Sequence, residues 1–304
     1  MNEHEWLADR FEENRAHLQG VAYRLLGSLS EAEDAVQEGW LRLSRSGAEG
    51  VENLRGWLTT VVAHVCLDML RSRKSRREES LETPGSEAAA TAHGRIDPEQ
   101  EAMLADSVGL ATLVVLDRLN PAERLAFVLH DVFDVPFEEI ARIAGRTPES
   151  VRQLASRARR RVRGVSNVPE GQIREQRSLV EGFLAALRAG DAKALVALMT
   201  PEFSVQADAA TAPRGLPAVH GAEAWAKEAI QAAKGARLAR LALVDGRVGL
   251  VVAPHGRLFR VLRFTFGEGR IAGLEVIGDP ERLQAIELAV PDKFLRGRDF
   301  HGSK

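Results

Sequence analysis

Cysteine, tyrosine and long apolar runs are scarce in this sequence. Its 304 residues include one cysteine, Cys66, and one tyrosine. A lone cysteine excludes an internal disulfide and a zinc site built from several cysteines. No apolar run approaches the roughly 20 residues of a membrane-spanning helix, and the acidic N-terminal stretch lacks the basic start and apolar core of a secretory signal. We predict a cytoplasmic protein with no membrane contact, no metal and no cofactor.

Net charge is scarce as well, but the charges are unevenly placed. Lys and Arg total 41 against 43 Asp and Glu, which gives a formal net charge of -2. Two stretches are nonetheless basic, RSRKSRR at 71–77 and RTPESVRQLASRARRRVR at 146–163. Such local patches indicate surfaces for an anionic partner such as nucleic acid, although the chain as a whole is nearly neutral.

Polar stretches rich in helix breakers divide the chain into three parts. Residues 78–98 are small and polar with almost no large apolar side chains, and a second break falls within 166–177. Both stretches are predicted to be linkers. The helical periodicity before and between them predicts two all-α domains, at 1–77 and 99–165.

The third part, residues 178–304, combines helices with strand-like runs. A helix opens it, and hairpin signals such as Asp245-Gly246 separate the apolar runs that follow. The predicted strands are RLARLALV, RVGLVV, RLFRVLRFTF and RIAGLEVI, with a further helix near GAEAWAKEAIQAA. The predicted fold class is therefore multidomain: two all-α domains and then an α+β domain with a strongly curved antiparallel sheet.

The second basic stretch fits a helix-turn-helix. An amphipathic helix at 137–144 ends at Gly145, a natural helix stop, and Thr147 can cap the next helix with Pro148 in its first position. The second helix places arginine and glutamine opposite its apolar stripe, and these side chains fit guanine and adenine in a major groove. The predicted DNA-binding residues are Arg146, Glu149, Ser150, Arg152, Gln153, Ser156, Arg157 and Arg160.

This region, with the Leu-x-Pro-x-Glu-Arg start at Leu119 to Arg124, resembles the DNA-reading region 4 of bacterial extracytoplasmic-function sigma factors, which binds the promoter -35 element. LLGSLSEAEDAVQEGWLRL resembles the region 2 helix that docks on the clamp helices of RNA polymerase. LRGWLTTVVAHVCLDMLRSRKSRR resembles the part that melts and reads the -10 element. The resemblance implies a sigma factor whose partners are core RNA polymerase and promoter DNA.

The front helices supply the candidate residues for these two contacts. Ser30 and Glu33 form a capping-box pattern, and an acidic face with an exposed leucine follows it. The residues that the resemblance assigns to polymerase are Asp34, Gln37, Glu38 and Leu41. Those assigned to the -10 element are His64, Asp68, Arg71, Arg73 and Arg76, whose cations can hold phosphates of a melted strand. Many family members have Arg-Asn where this chain has His64-Val65.

The third domain resembles the SnoaL-like, NTF2-type cone of the sigma-J-like subgroup. GDPERLQAIEL is close to the subgroup's Asn-Pro-Asp-Lys-Leu motif, with Asp279, Pro280 and Leu283 matching, and Asp208 matches one residue of its glycine-rich motif. The resemblance implies that this domain contacts the sigma domains and regulates them in cis through these residues, with no separate anti-sigma factor. A small ligand in the cone is a further expected partner.

Two other functions are compatible with parts of the sequence. A ligand-responsive helix-turn-helix regulator that does not act as a sigma subunit would share the reading helix but would not need the docking helix or the basic run at 71–77. An enzyme fused to a DNA-binding module would use Asp208, His220 or His255 for proton transfer, although no spacing brings two of them together. We expect no enzymatic activity.

Overall fold

A computed structural model describes residues 3–46, 51, 53–82, 110–164, 168–212, 221–254 and 257–290. Most of the predicted linker at 78–98 and the residues His220 and His255 lie outside these ranges, as does the C-terminal stretch 291–304. The chain divides into two compact units, Met1–Val108 with Leu116–Arg159 and Gly109–Val115 with Arg160–Lys304.

Three helices open the first unit, α1 (Glu3–Leu26), α2 (Leu29–Ser46) and α3 (Leu54–Glu82). Each contacts the other two, and their apolar faces bury Phe11, Leu18, Val36, Leu58 and Val62. The long apolar periodicity of the front segment predicts these helices, and burial of their shared faces explains why they pack together.

The start of α2 differs from the prediction. The helix begins at Leu29, after a left-handed Gly27, and the hydroxyl of Ser28 lies 3.5 Å from the amide nitrogen of Glu31. The capping residue is therefore Ser28 and not Ser30, because a second Ser-x-x-Glu pattern starts two residues earlier.

Four helices and a π-helical turn follow in the region predicted to read DNA. They are α4 (Leu110–Asp117), α5 (Pro121–Phe127), the turn Val128–Val132, α6 (Phe137–Ala144) and α7 (Pro148–Arg163). Gly145 ends α6 with a left-handed φ of 65°, and the Thr147 hydroxyl accepts a 3.3 Å hydrogen bond from the Ser150 amide. The predicted helix-turn-helix is confirmed with its glycine turn and its cap.

The remaining elements form a helix-backed mixed sheet. They are α8 (Glu170–Ala189), α9 (Ala192–Ala197), β1 (Met199–Ala207), α10 (Ala222–Ala232), a 3₁₀ turn (Ala233–Leu238), β2 (Ala239–Val244), β3 (Arg247–Val252), β4 (Arg260–Gly267), β5 (Arg270–Ile277), α11 (Pro280–Ala285) and β6 (Leu288–Ala289). The strand order is β1-β5-β4-β3-β2-β6. The four predicted strands are confirmed as β2 to β5, and each is antiparallel to the next.

Two strands of this sheet were not predicted. β1 pairs with β5 in parallel, and the two-residue β6 pairs with β2. β1 contains Pro201 and β6 is too short for a period-2 pattern, so neither gives a strand signal of its own. The sheet is mixed, whereas the sequence predicted antiparallel pairing throughout.

Aromatic side chains fill the centre of the second unit. Phe183 of α8 lies with its ring centroid 5.7 Å from that of Trp225 and 5.1 Å from that of Phe264, and Phe203 lies 5.2 Å from Trp225. These contacts hold α8 and α10 against the sheet. Among the described residues no helix is long and apolar enough to cross a membrane.

Candidate nucleic-acid interface

The helix α7 buries one face and exposes the other. Val151, Leu154, Ala155, Ala158 and Val162 are at most 4% exposed, as the apolar stripe predicts. Of the residues predicted to bind DNA, Ser150 is half-buried and the other seven are exposed: Arg146, Glu149, Arg152, Gln153, Ser156, Arg157 and Arg160. The predicted set therefore shares one solvent-facing surface.

Two of these arginines are held by acidic neighbours. Arg152 contacts Glu138 of α6 at 2.9 Å and Glu149 at 3.3 Å, and its guanidinium lies over the Phe137 ring. The Arg157 Nε atom lies 3.5 Å from the carboxylate of Glu123, which is 3% exposed. Both arginines remain exposed. The pair of Arg152 with Glu138 lies at the surface, where ion pairs are weak enough for a phosphate to replace the carboxylate, whereas Glu123 is buried and its pair with Arg157 is harder to break.

Four other members of the set are open in the free chain. The side chains of Arg146, Gln153, Ser156 and Arg160 make no hydrogen bond or ion pair with any residue that the structure describes. Their polar atoms need no rearrangement before they contact a base edge or a phosphate. Gln153 lies in the N-terminal half of α7 and Arg160 in its last turn.

Arg159 is a basic residue of α7 that the DNA-binding prediction left out. Its Nε donates a 2.6 Å hydrogen bond to Asp131 of the π-helical turn. The side chain is 31% exposed and that of Asp131 is 23% exposed, so the pair is partly buried. Arg159 therefore serves packing between helices, although the sequence places it beside Arg160.

Three of the residues predicted for the -10 element share one edge of α3 at helical spacing, namely His64, Asp68 and Arg71. His64, Asp68, Arg71 and Arg76 are all exposed. Asp68 lies 3.7 Å from the His64 ring nitrogen and 3.8 Å from Arg71, which are loose contacts between neighbouring turns. This edge combines a cation and an imidazole in a row suited to a nucleic-acid strand.

Arg73 occupies a different position. It is half-buried, forms an ion pair with Glu31 of α2 and donates a 3.1 Å hydrogen bond to the Leu26 carbonyl. These contacts tie α3 to the junction of α1 and α2. In the free chain the Arg73 guanidinium thus supports the helical packing, and a contact with DNA would require it to leave these partners.

A cavity of about 660 Å³ lies beside the -10 edge, within the first unit. α3 contributes Trp57 and His64 to its wall, and α6 contributes Glu139, Arg142 and Ile143. The first helix of the helix-turn-helix therefore lies across from the edge predicted to read the -10 element. Part of that edge, including His64, faces protein in this arrangement.

Arg124 joins the same two regions from a buried position. It is 2% exposed, its Nε and Nη2 each lie 3.3 Å from the Arg24 carbonyl at the end of α1, and its Nη1 contacts Asp117 at 3.3 Å. Burial lowers the pKa of Arg124 to about 10. The residue closes the Leu-x-Pro-x-Glu-Arg pattern, and its burial was not predicted from the sequence.

The face of α2 predicted for polymerase is open to solvent. Asp34, Gln37 and Leu41 are exposed, and Leu41 is one of four large apolar side chains more than a third exposed among the described residues. Glu38 is half-buried and pairs with Arg42 at 3.0 Å. An exposed leucine within acidic surroundings suits a protein partner with apolar and basic groups.

Two family models match these helical regions. The sigma-70 region 2 model matches residues 10–76, and the sigma-70 region 4 model matches residues 110–162. The extracytoplasmic-function RNA polymerase sigma factor SigJ of Mycobacterium tuberculosis strain H37Rv is 36% identical over 96% of this chain and 97% of its own length. This chain belongs to the extracytoplasmic-function sigma factors. The sigma-factor prediction is confirmed, and it is favoured over a regulator that does not act as a sigma subunit.

A second relative and two solved structures are also similar to this chain. The sigma factor SigI of M. tuberculosis strain CDC 1551 is 34% identical over 69% of this chain and 72% of its own length. The crystal structure of M. tuberculosis SigJ superposes with a TM-score of 0.44 at 32% identity, covering 91% of this chain and 98% of that one. The sigma factor RpoE of Bartonella quintana, solved with the anti-sigma factor NepR, gives a TM-score of 0.35 at 20% identity, over 50% of this chain and 91% of that one.

In this sigma factor the structure brings Asp208 and Asp279 together. One Asp208 oxygen accepts hydrogen bonds of 2.8 Å from the amides of Gly278 and Asp279, and the other accepts one of 3.0 Å from the Thr211 amide. Burial alone would raise the pKa of Asp208, but these amides together lower it to about 2. The carboxylate stays ionised with both oxygens engaged, which leaves it poorly placed for proton transfer.

The other residues of the C-terminal motif are also part of the local fold. Asp279 caps α11 by accepting a 3.0 Å hydrogen bond from the Arg282 amide, and Pro280 is the first residue of that helix. Leu283 is 7% exposed and packs inside. Among the described residues no group of three His, Cys, Asp or Glu side chains is placed to hold a metal ion.

Proposed function

We propose that this sigma factor binds core RNA polymerase through the exposed face of α2 and promoter DNA through α3 and α7. The residues for polymerase are Asp34, Gln37, Glu38 and Leu41. The exposure of this face supports the assignment, because none of its members is needed for packing α2 against α1 and α3. The acidic side chains set orientation and encounter rate, and the leucine supplies apolar contact.

For the -35 element, we propose that α7 lies in the major groove and that different side chains contact bases and phosphates. Gln153 and Ser156 face base edges, and Arg146 and Arg160 hold phosphates on either side. The observation that carries this proposal is that these four side chains, three on α7 and Arg146 in the turn before it, are exposed and have no hydrogen bond or ion pair among the described residues. Arg152 joins them once a phosphate replaces Glu138, and Glu149, Ser150 and Arg157 complete the proposed contact with DNA.

For the -10 element, we propose that His64, Asp68, Arg71 and Arg76 contact the melted strand. Their exposed positions on α3 support this role. The cavity wall formed by Glu139 and Arg142 lies across from His64, so we propose that α6 moves away from α3 before this edge is read. Arg73 takes part only if DNA displaces Glu31 from its guanidinium.

We propose that residues 178–304 form a SnoaL-like, NTF2-type regulatory domain that acts in cis, with 1–77 as region 2, 99–165 as region 4 and linkers at 78–98 and 166–177. Similarity to SigJ over 96% of this chain supports a common organisation that includes this domain. In this proposal no separate anti-sigma factor is required and the domain is not an enzyme. The protein acts in the cytoplasm, where polymerase and promoter are found.

Regulation by contact within the chain is favoured over regulation by a small ligand. The rings of Phe183, Phe203, Trp225 and Phe264 pack against one another between α8, α10 and the C-terminal sheet, and they fill space that a ligand inside the cone would need. Leu283, also assigned to regulation, is buried in the same unit. We therefore propose that Asp208, Asp279 and Leu283 affect regulation by shaping the surface of the domain.

Run-off transcription with core RNA polymerase tests these proposals. The full chain is compared with residues 1–167 on a library of promoter fragments, with core polymerase alone as the control. We expect both proteins to initiate at the same sites with different yields, because the C-terminal domain shifts the population of competent chains. Equal yields at equal protein concentration would refute regulation in cis. Initiation by neither protein would contradict the proposed contacts with polymerase and promoter.

A further inference from the structure

The last turn of the DNA-reading helix is bonded to the final strand of the C-terminal sheet. The Val290 amide, directly after β6, donates a 2.7 Å hydrogen bond to the Val162 carbonyl of α7. Both residues are at most 1% exposed. The last four carbonyls of a helix have no partner within the helix, so this bond satisfies one that would otherwise be left open.

Gly164 allows the close approach of the two elements. It follows α7 with a left-handed φ of 63°, and its amide donates a 3.0 Å hydrogen bond to the Arg160 carbonyl. A Cβ atom at this position would lie 2.3 Å from the Cβ of Ala289, far inside contact distance. Ala289 has no rotamer to change, and it is held in register opposite Leu243 of β2.

Comparison with Gly145 shows how Gly164 differs from a glycine that only ends a helix. Gly145 ends α6 with a φ of 65°, and a Cβ atom there would meet nothing within 4 Å. Gly145 is required by backbone conformation alone. Gly164 has the same backbone conformation and in addition a packing contact with the sheet, so it does more than end the helix.

We propose that β6 anchors the end of α7 and that Gly164 is the positioning residue through which the C-terminal domain controls the DNA-reading helix. The proposal rests on the regulation in cis proposed above and adds its point of attachment. α7 is one continuous helix, so a restraint on Val162 acts directly on Arg160 and, through the rigid helix, on the reading face. β6 belongs to the same sheet as β2 to β5, so a change in that sheet reaches the helix through backbone bonds.

The test is Gly164→Ala in the full chain, with two readouts. Amide hydrogen exchange at Val290 reports whether the bond to Val162 persists, and run-off transcription with core polymerase reports the effect on initiation. Because the added methyl group overlaps Ala289, we expect about tenfold faster exchange at Val290, a factor that corresponds to about 1.4 kcal/mol. We expect a higher run-off yield, since the helix is released from its restraint.

Three further variants separate the effect of the packing contact from that of backbone strain. Gly269→Ala introduces the same type of strain at a φ of 68° with nothing within 4 Å of the new Cβ, and it should change neither readout. Ala289→Gly combined with Gly164→Ala removes the overlapping methyl partner and should restore both. Val290→Pro removes the amide donor without touching Gly164, and it should raise the yield as Gly164→Ala does.

The outcomes separate this proposal from the one on which it rests. If the full chain and residues 1–167 differ in yield but Gly164→Ala and Val290→Pro behave as the unmodified chain, regulation in cis stands and this anchor is refuted. If Ala289→Gly fails to restore the Gly164→Ala chain, the effect comes from strain and the anchor is again refuted. If the full chain and residues 1–167 do not differ, the proposed regulation itself fails.

Discussion

The outer face of α7 and the corner formed by Asp208 and Asp279 were both predicted as contact sites, and the fold treats their polar groups in opposite ways. On α7, Gln153 and Arg160 are exposed without a partner among the described residues. At the corner, both oxygens of Asp208 accept backbone amides, and Asp279 caps a helix. The helix leaves its polar atoms available to another molecule, whereas the polar atoms at the corner form hydrogen bonds with the protein's own backbone.

The difference follows from the backbone around each site. Helix interiors satisfy their own amides and carbonyls, so side chains on the outer face of α7 have no local backbone partner. The corner joins β1, β5 and the start of α11, where amides have no ladder or helical partner, and a carboxylate fills that need. A polar motif in a loop therefore has a structural use that a polar motif on a helix face lacks.

The largest expected effect comes from another polar group that the fold uses internally. Arg124→Met should lower the free energy of unfolding by about 3 kcal/mol, because it leaves the Arg24 carbonyl and Asp117 without their buried partner. Urea unfolding at neutral pH measures this loss. The matched control is Arg160→Met, the same substitution at an exposed site, which should change stability by less than about 0.5 kcal/mol. Equal losses in the two variants would erase the distinction between the sites.

A smaller loss is expected at the Asp208 corner. Asp208→Ala should lower the free energy of unfolding by about 2 kcal/mol, because amides of Thr211, Gly278 and Asp279 lose a charged acceptor. Asp191→Ala is the control, since Asp191 caps α9 through one amide, and it should cost about 1 kcal/mol. A larger loss at Asp191 than at Asp208 would contradict the assignment.

The pH dependence of stability gives a second test of the hydrogen bonds that Asp208 accepts. The pKa of Asp208 lies at about 2 in the folded chain, against an ordinary value of 3.8. The folded state binds the Asp208 proton less readily than the unfolded state does. The ionised carboxylate therefore stabilises the fold fully above pH 3.8, and this contribution to the free energy of unfolding is lost as the pH falls toward 2. The free energy of unfolding, measured across this pH range, should fall less steeply with decreasing pH in Asp208→Ala than in the unmodified chain.

Local signals explain what the sequence could predict. Gly145, Thr147 and Pro148 predict the turn and the start of α7 because each acts on its own backbone. The same kind of signal also misleads when it occurs twice, as Ser28 and Ser30 show at the start of α2. Burial of an apolar stripe is likewise predictable, since it depends only on helical spacing.

Contacts between distant residues explain what the sequence could not predict. Arg73 pairs with Glu31, Arg124 meets the Arg24 carbonyl, and nothing in the spacing of these residues distinguishes them from surface arginines. The parallel pairing of β1 with β5 is also long-range, because it depends on how the sheet closes and not on either strand alone. The roles of Arg73 and of the corner residues in contacts with DNA or between domains stay predictions.

The smallest effect concerns the open face of α7 itself. Arg160→Ala should weaken promoter binding by the holoenzyme about tenfold and lower the slope of affinity against salt by about 1, because one phosphate contact is lost. The loss should be similar across promoter sequences, whereas Gln153→Ala should relax the preference for one base of the -35 element. Binding to promoter fragments at several salt concentrations measures both.

Arg159→Ala provides the matched control for this last prediction. It removes the same charge from the neighbouring position, but Arg159 donates a 2.6 Å hydrogen bond to Asp131 of the π-helical turn. Its loss should lower stability and leave the salt slope of promoter binding unchanged. If both substitutions reduce the slope equally, the net charge of α7 governs binding and the placement of individual arginines does not. An effect confined to Arg160 would show that the exposed face reads the promoter while its paired neighbour serves the fold.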